Sequence, residues 1–117
     1  MSKKILIIED DEDILNILSF ILKEQGYIIT ALTHGDVIDK IRADLPDLIL
    51  CDIWLPKRKG TEICKILKSD PLTAHIPFIV ISTVMNLPQI AMKCGADAYI
   101  EKPFQIKEMV NIVKTYL

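Results

Sequence analysis

The segment LILCDIWLP, residues 48–56, places a carboxylate inside an otherwise apolar run. Four apolar residues lead into Asp52, and apolar residues resume directly after it. An ionised carboxylate left uncompensated in apolar surroundings costs several kcal/mol. Asp52 must therefore either lie at the end of a buried strand, where it reaches water, or have a charged partner.

Apolar runs of strand length alternate along the chain with segments whose apolar residues recur at helical spacing. Continuous apolar runs are typical of strands buried on both faces, whereas recurrence every three to four residues is typical of amphipathic helices. We predict strands at residues 4–10, 27–32, 47–52, 77–82 and 98–102. We predict helices at residues 11–26, 35–45, 60–69, 87–95 and 105–117.

This alternation predicts an α/β fold with a parallel five-stranded sheet and helices on both faces, because right-handed crossovers must cover both sides. No linker, repeat or low-complexity segment interrupts the 117 residues, so we expect a single domain spanning residues 1–117. In a doubly wound sheet of order 2-1-3-4-5, strand order reverses between the first and third strands, and ligands bind at that point.

The composition excludes several classes of protein. Half of the residues are apolar, 26% are charged and the formal net charge is −2. This charge provides no electrostatic footprint for nucleic acid or an anionic membrane. No apolar run approaches the roughly 20 residues that span a bilayer, and the N-terminal apolar run is too short for a signal peptide.

The cysteines and histidines give no sign of a metal or redox site. Cys51, Cys64 and Cys94 are odd in number and form no CxxC pair. They are interpreted as small buried hydrophobic residues of a protein in the reducing cytoplasm. His34 and His75 have no suitably spaced ligand near them and are expected in loops or on the surface.

Acidic residues follow the two strands that flank the predicted point of reversal. The first strand runs into Glu9 and Asp10, and the third ends in Asp52. Two carboxylates about 4 Å apart repel by roughly 4 kcal/mol at an effective dielectric constant of about 20, so such a cluster requires a cation. Mg²⁺ fits best because it accepts carboxylates, water and phosphate oxygens, and Mn²⁺ is a second candidate.

Two further strand ends add a hydroxyl and an ammonium to the same edge. The fourth strand ends in Ser82, and Lys102 follows the fifth. Acids, a metal, a hydroxyl and a lysine together are typical of phosphoryl-transfer sites. Asp52 is the candidate nucleophile, because an aspartate carboxylate can form an aspartyl phosphate.

Five short motifs occur along the chain in a fixed order: EDD after the first strand, DIWLP followed by Gly60, IST at the fourth strand, GADAY entering the fifth and KPF after it. In order and spacing they resemble the receiver domain of bacterial two-component response regulators, and the resemblance covers the whole chain. It implies a (βα)5 flavodoxin-like fold of order 2-1-3-4-5.

The resemblance also implies roles for the acidic residues. Asp52 would accept the phosphoryl group and contribute to the metal site. Asp10 would bind the metal directly, and Glu9 would bind it directly or through water. The backbone carbonyl of Trp54 would be a further metal ligand.

The resemblance implies a switch as well. Ser82 would hydrogen-bond the phosphoryl group, Lys102 would pair with Asp52 or its phosphate, and Tyr99 would change rotamer at the surface formed by the fourth helix, fifth strand and fifth helix. The phosphodonor would be a sensor histidine kinase, a phosphotransfer protein or a small acyl phosphate. A downstream effector and a phosphorylation-dependent homodimer are further partners that the resemblance suggests.

Three features depart from the usual pattern of the family. Trp54 is bulky for its position, and we expect its ring to shield the phosphoryl group from water and slow dephosphorylation. The basic residues Lys57, Arg58 and Lys59 replace small or acidic ones. The segment from Ser82 to Lys102 is slightly shorter than usual, so the fourth helix is expected to start near Pro88.

Three other functions compete with the signalling switch, which is itself expected not to be a turnover enzyme. A receiver-like binding module that works without phosphorylation remains the alternative, although the complete acid, hydroxyl and lysine set argues against it. A hydrolase of the haloacid dehalogenase type would need a second aspartate where this chain has Trp54. A flavin carrier would need a hydroxyl-rich phosphate loop where this chain has acids.

Overall fold

The computed structural model describes residues 2–33 and 37–117. The five strands in this part of the chain are β1 (Lys4–Ile8), β2 (Ile28–Leu32), β3 (Leu48–Asp52), β4 (Phe78–Ser82) and β5 (Ala98–Glu101). The helices are α1 (Glu12–Glu24), α2 (Val37–Ala43), α3 (Gly60–Lys68), α4 (Leu87–Cys94) and α5 (Ile106–Thr115). His34 and the predicted first two residues of α2 lie outside the described residues.

All strand pairs are parallel and the sheet order is β2-β1-β3-β4-β5, which confirms the predicted flavodoxin-like fold. The sheet separates two apolar cores. One lies against α2, α3 and α4 and includes Cys51, and the other lies against α1 and α5 and includes Leu50. Within the described residues, no helix is both long and apolar enough to cross a membrane.

The strand ends differ from the predicted ones where a helix cap begins. β1 stops at Ile8, so that Glu9 and Asp10 follow the strand instead of belonging to it. Asp11 caps α1, since its Oδ1 accepts hydrogen bonds from the backbone N–H groups of Asp13 (3.0 Å) and Ile14 (3.2 Å). Such a cap satisfies N–H groups that have no partner within the helix.

The two edge strands, β2 and β5, are less buried than strands covered by helices on both faces would be. Residues 27–32 form a strand as their β-forming residues predict, but three of the five residues of β2 are exposed, and Ile28 is 53% exposed. β2 lies at the edge of the sheet, where it pairs with β1 alone. β3 and β4, by contrast, are buried along their whole length, as their sequences predict.

The junction between β3 and α3 is unusually close. The backbone N–H of Gly60 donates to the carbonyl oxygen of Ile53 at 2.8 Å. A Cβ atom at Gly60 would lie 2.1 Å from the carbonyl oxygen of Asp52 and 3.1 Å from Sγ of Cys51. Only glycine allows the start of α3 to pack against the end of β3 in this way.

We therefore expect Gly60→Ala to lower the free energy of unfolding by about 2–3 kcal/mol, because backbone atoms must move to admit the methyl group. Urea denaturation followed by circular dichroism measures this change. Thr61→Ala, in the same helical turn, is the matched control and should change stability much less. Equal denaturation midpoints for Gly60→Ala and the wild type would contradict the close packing.

Candidate functional site

Three carboxylates meet at the carboxyl end of the sheet. β1 and β3 are neighbours, with Ile8 paired to Cys51, so the residues that follow these two strands come together. One carboxylate oxygen from each of Glu9, Asp10 and Asp52 lies within 4.8 Å of the others. We call these three residues the carboxylate cluster. Glu9 and Asp52 are 1% and 6% exposed, whereas Asp10 is open to solvent.

Lys102 extends its ammonium group to the carboxylate cluster. Its Nζ lies 2.6 Å from Oε1 of Glu9 and 3.4 Å from Oδ1 of Asp52. The backbone of Lys102 is held beside β4, because its N–H donates to the carbonyl of Ser82 at 2.9 Å. The Lys102–Pro103 peptide bond is cis. The sequence predicted a pairing with Asp52, but the shorter contact is with Glu9.

Burial and the neighbouring charges shift the pKa values of both Glu9 and Lys102. Burial raises the pKa of Glu9 to about 7, and the negative charge of Asp52 adds to the shift, while the hydrogen bond from Lys102 opposes it. Burial disfavours the charge on Lys102, but the hydrogen bond to Glu9 and the charge of Asp52 outweigh this effect and raise its pKa. A cation at the cluster would favour the ionised form of Glu9.

The donor set suits a hard divalent cation. Three carboxylates face one ammonium group, so that the site keeps an excess of negative charge when all three are ionised. All of the available ligand atoms in the cluster are oxygens, which Mg²⁺ and Mn²⁺ prefer. The carbonyl of Trp54, the other predicted ligand, belongs to the loop that follows β3, and its role stays a prediction.

Ser82 and Tyr99 lie on β4 and β5, on the opposite side of Asp52 from Glu9 and Asp10. Asp52 pairs with Ile81 in the sheet, so Ser82 comes one residue further along the neighbouring strand. Ser82 is buried, and its Oγ accepts a hydrogen bond from the backbone N–H of Val84 at 3.3 Å. Tyr99 is 39% exposed and lines a groove of about 540 Å³ between α4, β5 and α5.

One contact of the Trp54 ring was not predicted from the sequence. The side chain of Trp54 is 54% exposed, and Nζ of Lys59 lies 5.1 Å from the centre of its ring. This cation–π contact connects two residues of the same loop. Spacing along a loop does not predict such a contact, because the path of the backbone decides it.

The cysteines, His75 and the start of α4 agree with their predictions. Cys51, Cys64 and Cys94 are free and buried, as predicted. Burial raises the pKa of the Cys51 thiol and that of the Cys64 thiol, which fits a packing role. His75 is exposed, again as predicted. Asn86 precedes α4 and Pro88 lies in its first turn, so the predicted start of this helix is confirmed.

Comparisons with known proteins agree on one family. The response regulator receiver domain matches residues 5–114. The alkaline phosphatase synthesis transcriptional regulatory protein PhoP of Bacillus subtilis is 36% identical over 118 residues, which cover 100% of this chain and 49% of PhoP. The chain therefore spans about half the length of that curated relative.

Two solved structures show the same fold over nearly the whole chain. A putative response regulator from Chloroflexus aurantiacus has a TM-score of 0.94 at 28% identity, covering 99% of this chain and 98% of that one. The signal receiver domain of a histidine kinase from Syntrophus aciditrophicus has a TM-score of 0.92 at 30% identity, covering 99% and 90%. The chain belongs to the response regulator receiver domain family of two-component signalling.

Proposed function

We propose that this chain is a phosphorylatable signalling switch in which Asp52 accepts a phosphoryl group from a histidine kinase, a phosphotransfer protein or a small acyl phosphate. The observation that carries the proposal is the carboxylate cluster, whose oxygens lie within 4.8 Å of one another, with an ammonium group beside it. Membership of the receiver family supports the same conclusion.

Mg²⁺, or Mn²⁺ in its place, is the proposed cofactor, held by the carboxylates of Glu9, Asp10 and Asp52 and by the backbone carbonyl of Trp54. When bound, the metal supplies positive charge that offsets the charge of the transferring phosphoryl group. The fit rests on the oxygen donors of the cluster and on its excess negative charge.

Asp52 is the proposed nucleophile because of where the other two carboxylates are held. Glu9 is buried, and Lys102 contacts its Oε1 at 2.6 Å, so its carboxylate is not open to a phosphodonor from solvent. Asp10 is exposed beyond the strand end and is better suited to bind a hydrated cation. A carboxylate oxygen of Asp52 would attack phosphorus, and the leaving group of the donor would depart with the electron pair.

The proposed output is a population shift at the surface formed by α4, β5 and α5. Phosphorylation adds charge and acceptor oxygens at Asp52, and the hydroxyl of Ser82, whose Oγ accepts from the N–H of Val84, would donate its proton to them as its loop shifts. The resulting space would admit Tyr99, which now lies partly exposed in the groove between α4 and α5. A downstream effector or a second copy of the chain would read this change.

We propose further that residues 1–117 form one receiver domain, which phosphorylates and dephosphorylates itself but is not a turnover enzyme. We infer a cytoplasmic location, because three buried free thiols suit a reducing compartment. The alternative is a binding module that uses the same surface without phosphorylation, and the carboxylate cluster favours the switch over it.

Incubation of the protein with acetyl phosphate and Mg²⁺ should add one phosphoryl group per chain, detected by intact-mass spectrometry. Asp52→Asn should abolish the addition, because the amide is not a nucleophile at this site. Asp47→Asn, at an acid just before β3 and remote from the cluster, is the control. If the mass of the folded wild type did not change in the presence of Mg²⁺, the switch would be contradicted and the binding module would be the better account.

Removal of one charge from the carboxylate cluster should stabilise the metal-free protein. In metal-free buffer, Asp10→Asn should raise the melting temperature by about 2 °C, because solvent screening leaves only part of the repulsion. The same variant should lose most of the stabilisation that Mg²⁺ gives the wild type. Asp13→Asn, at an exposed acid outside the cluster, should show neither effect. A metal-free melting temperature that falls in Asp10→Asn would contradict the repulsion argument.

The ring of Trp54 should prolong the life of the aspartyl phosphate. If the ring shields the phosphoryl group from water, Trp54→Asn should speed dephosphorylation several-fold, whereas Trp54→Phe should remain close to the wild type. The decay of the phosphorylated species is followed by intact mass after the donor is removed. An unchanged lifetime in Trp54→Asn would show that the ring does not exclude water.

A further inference from the structure

We propose that Lys57, Arg58 and Lys59, which we call the basic loop, select the phosphodonor by its charge and favour dianionic acyl phosphates over less charged donors. This inference rests on the proposed function, because it concerns which donor reaches Asp52. It assigns a binding role to residues that take no part in the carboxylate cluster.

The basic loop concentrates positive charge on an acidic protein. Its three residues are consecutive and exposed, in a chain whose formal net charge is −2. Within residues 2–33 and 37–117, none of the three forms an ion pair with an acid. Their charges are therefore available to an anion in solution, apart from the contact of Lys59 with the ring of Trp54.

The backbone keeps the basic loop close to Asp52. The loop leaves β3 at Ile53 and returns to the same place, because the N–H of Gly60 donates to the carbonyl of Ile53 at 2.8 Å. Gly60, the next residue after Lys59, packs directly on the carbonyl of Asp52. Because both ends of this short loop meet at Ile53, its backbone extends no further than roughly 12 Å from the end of β3.

In dilute buffer, where the Debye length exceeds this range, the charges of the basic loop act on a donor that approaches the site. The Debye length is about 8 Å at physiological ionic strength and longer in dilute buffer. The carboxylate cluster repels an anionic donor, and the ammonium of Lys102, even together with a divalent cation, does no more than balance its three charges. The exposed charges of the basic loop then add attraction for an anionic donor, and this attraction grows with the charge of the donor.

Two donors of different charge separate this effect from others. Acetyl phosphate is a dianion at neutral pH, whereas phosphoramidate carries a single net negative charge. Asp52 forms a new O–P bond with either donor. Acetate leaves from the first as its P–O bond breaks, and ammonia leaves from the second as its P–N bond breaks, each taking the electron pair.

The experiment compares second-order rate constants for phosphorylation of the wild type and of Lys57→Gln/Arg58→Gln, which keeps Lys59 against Trp54. At low ionic strength the rate with acetyl phosphate should fall about fivefold, and that with phosphoramidate about twofold. Both differences should shrink at an ionic strength of about 0.5 M. The control is Lys93→Gln/Lys114→Gln, which removes the same charge from the last turns of α4 and α5, at the opposite edge of the sheet, and should change neither rate appreciably.

The binding of Mg²⁺ to the same variants provides an independent readout. Trp54 is the only tryptophan of the chain, so its fluorescence can follow a Mg²⁺ titration. This titration gives the Mg²⁺ concentration that saturates each variant. At that concentration we expect the rate constant still to fall more with acetyl phosphate than with phosphoramidate.

Several results would overturn the proposal. If the rate constants for both donors fell equally in Lys57→Gln/Arg58→Gln, the cause would be altered folding or an altered metal site. If they fell equally in Lys93→Gln/Lys114→Gln, the cause would be the net charge of the protein. Unchanged rates in Lys57→Gln/Arg58→Gln would show that the basic loop is only a solvated surface. If neither donor phosphorylates the wild type, the proposed function itself fails, which is a different result from any of these.

Discussion

The repulsion among the three carboxylates of the carboxylate cluster is the constraint that the rest of the structure must offset. Their oxygens lie within 4.8 Å of one another, and the single ammonium of Lys102 serves two of them at unequal distances. Burial adds to this tension, since it raises the pKa of Glu9 to about 7. A folded protein keeps such an arrangement only where the rest of the fold supplies the stability, and the excess negative charge favours the binding of a cation.

That stability comes from the strands that deliver the carboxylates. β3 is buried along its whole length between two apolar cores, so the position of Asp52 is set by packing on both faces of the sheet. Gly60 closes the junction, because any larger residue would push α3 away from the end of β3. The site is therefore rigid on the side of β3, whereas Ser82 and Tyr99 lie on elements that border an open groove. This difference suits a site in which charge changes at a fixed point and packing responds nearby.

The sequence was sufficient to predict the alternation of elements, because periodicity is local and each strand is followed by its own helix. Membership of the carboxylate cluster followed from sheet order, since β1 and β3 had to be neighbours. The burial of β2 could not be predicted from its apolar residues, because an edge position is a property of the whole sheet. The shorter contact of Lys102 with Glu9 could not be predicted either, because the two residues are 93 positions apart in the sequence. The distances from Nζ of Lys102 to Glu9 and to Asp52 differ by less than 1 Å.

This preference bears on how the proposed switch works. Lys102 now neutralises Glu9 at 2.6 Å and reaches Asp52 only at 3.4 Å. A phosphoryl group on Asp52 would carry more negative charge than the carboxylate that it replaces, and would compete with Glu9 for the same ammonium. Glu9 would then need another positive partner to remain ionised in its buried position, and a divalent cation held by the cluster is the partner that its oxygen ligands suit. A phosphoryl group would add negative charge and a bound cation would offset it, so metal binding and phosphorylation would each favour the other, with Lys102 shared between Glu9 and Asp52.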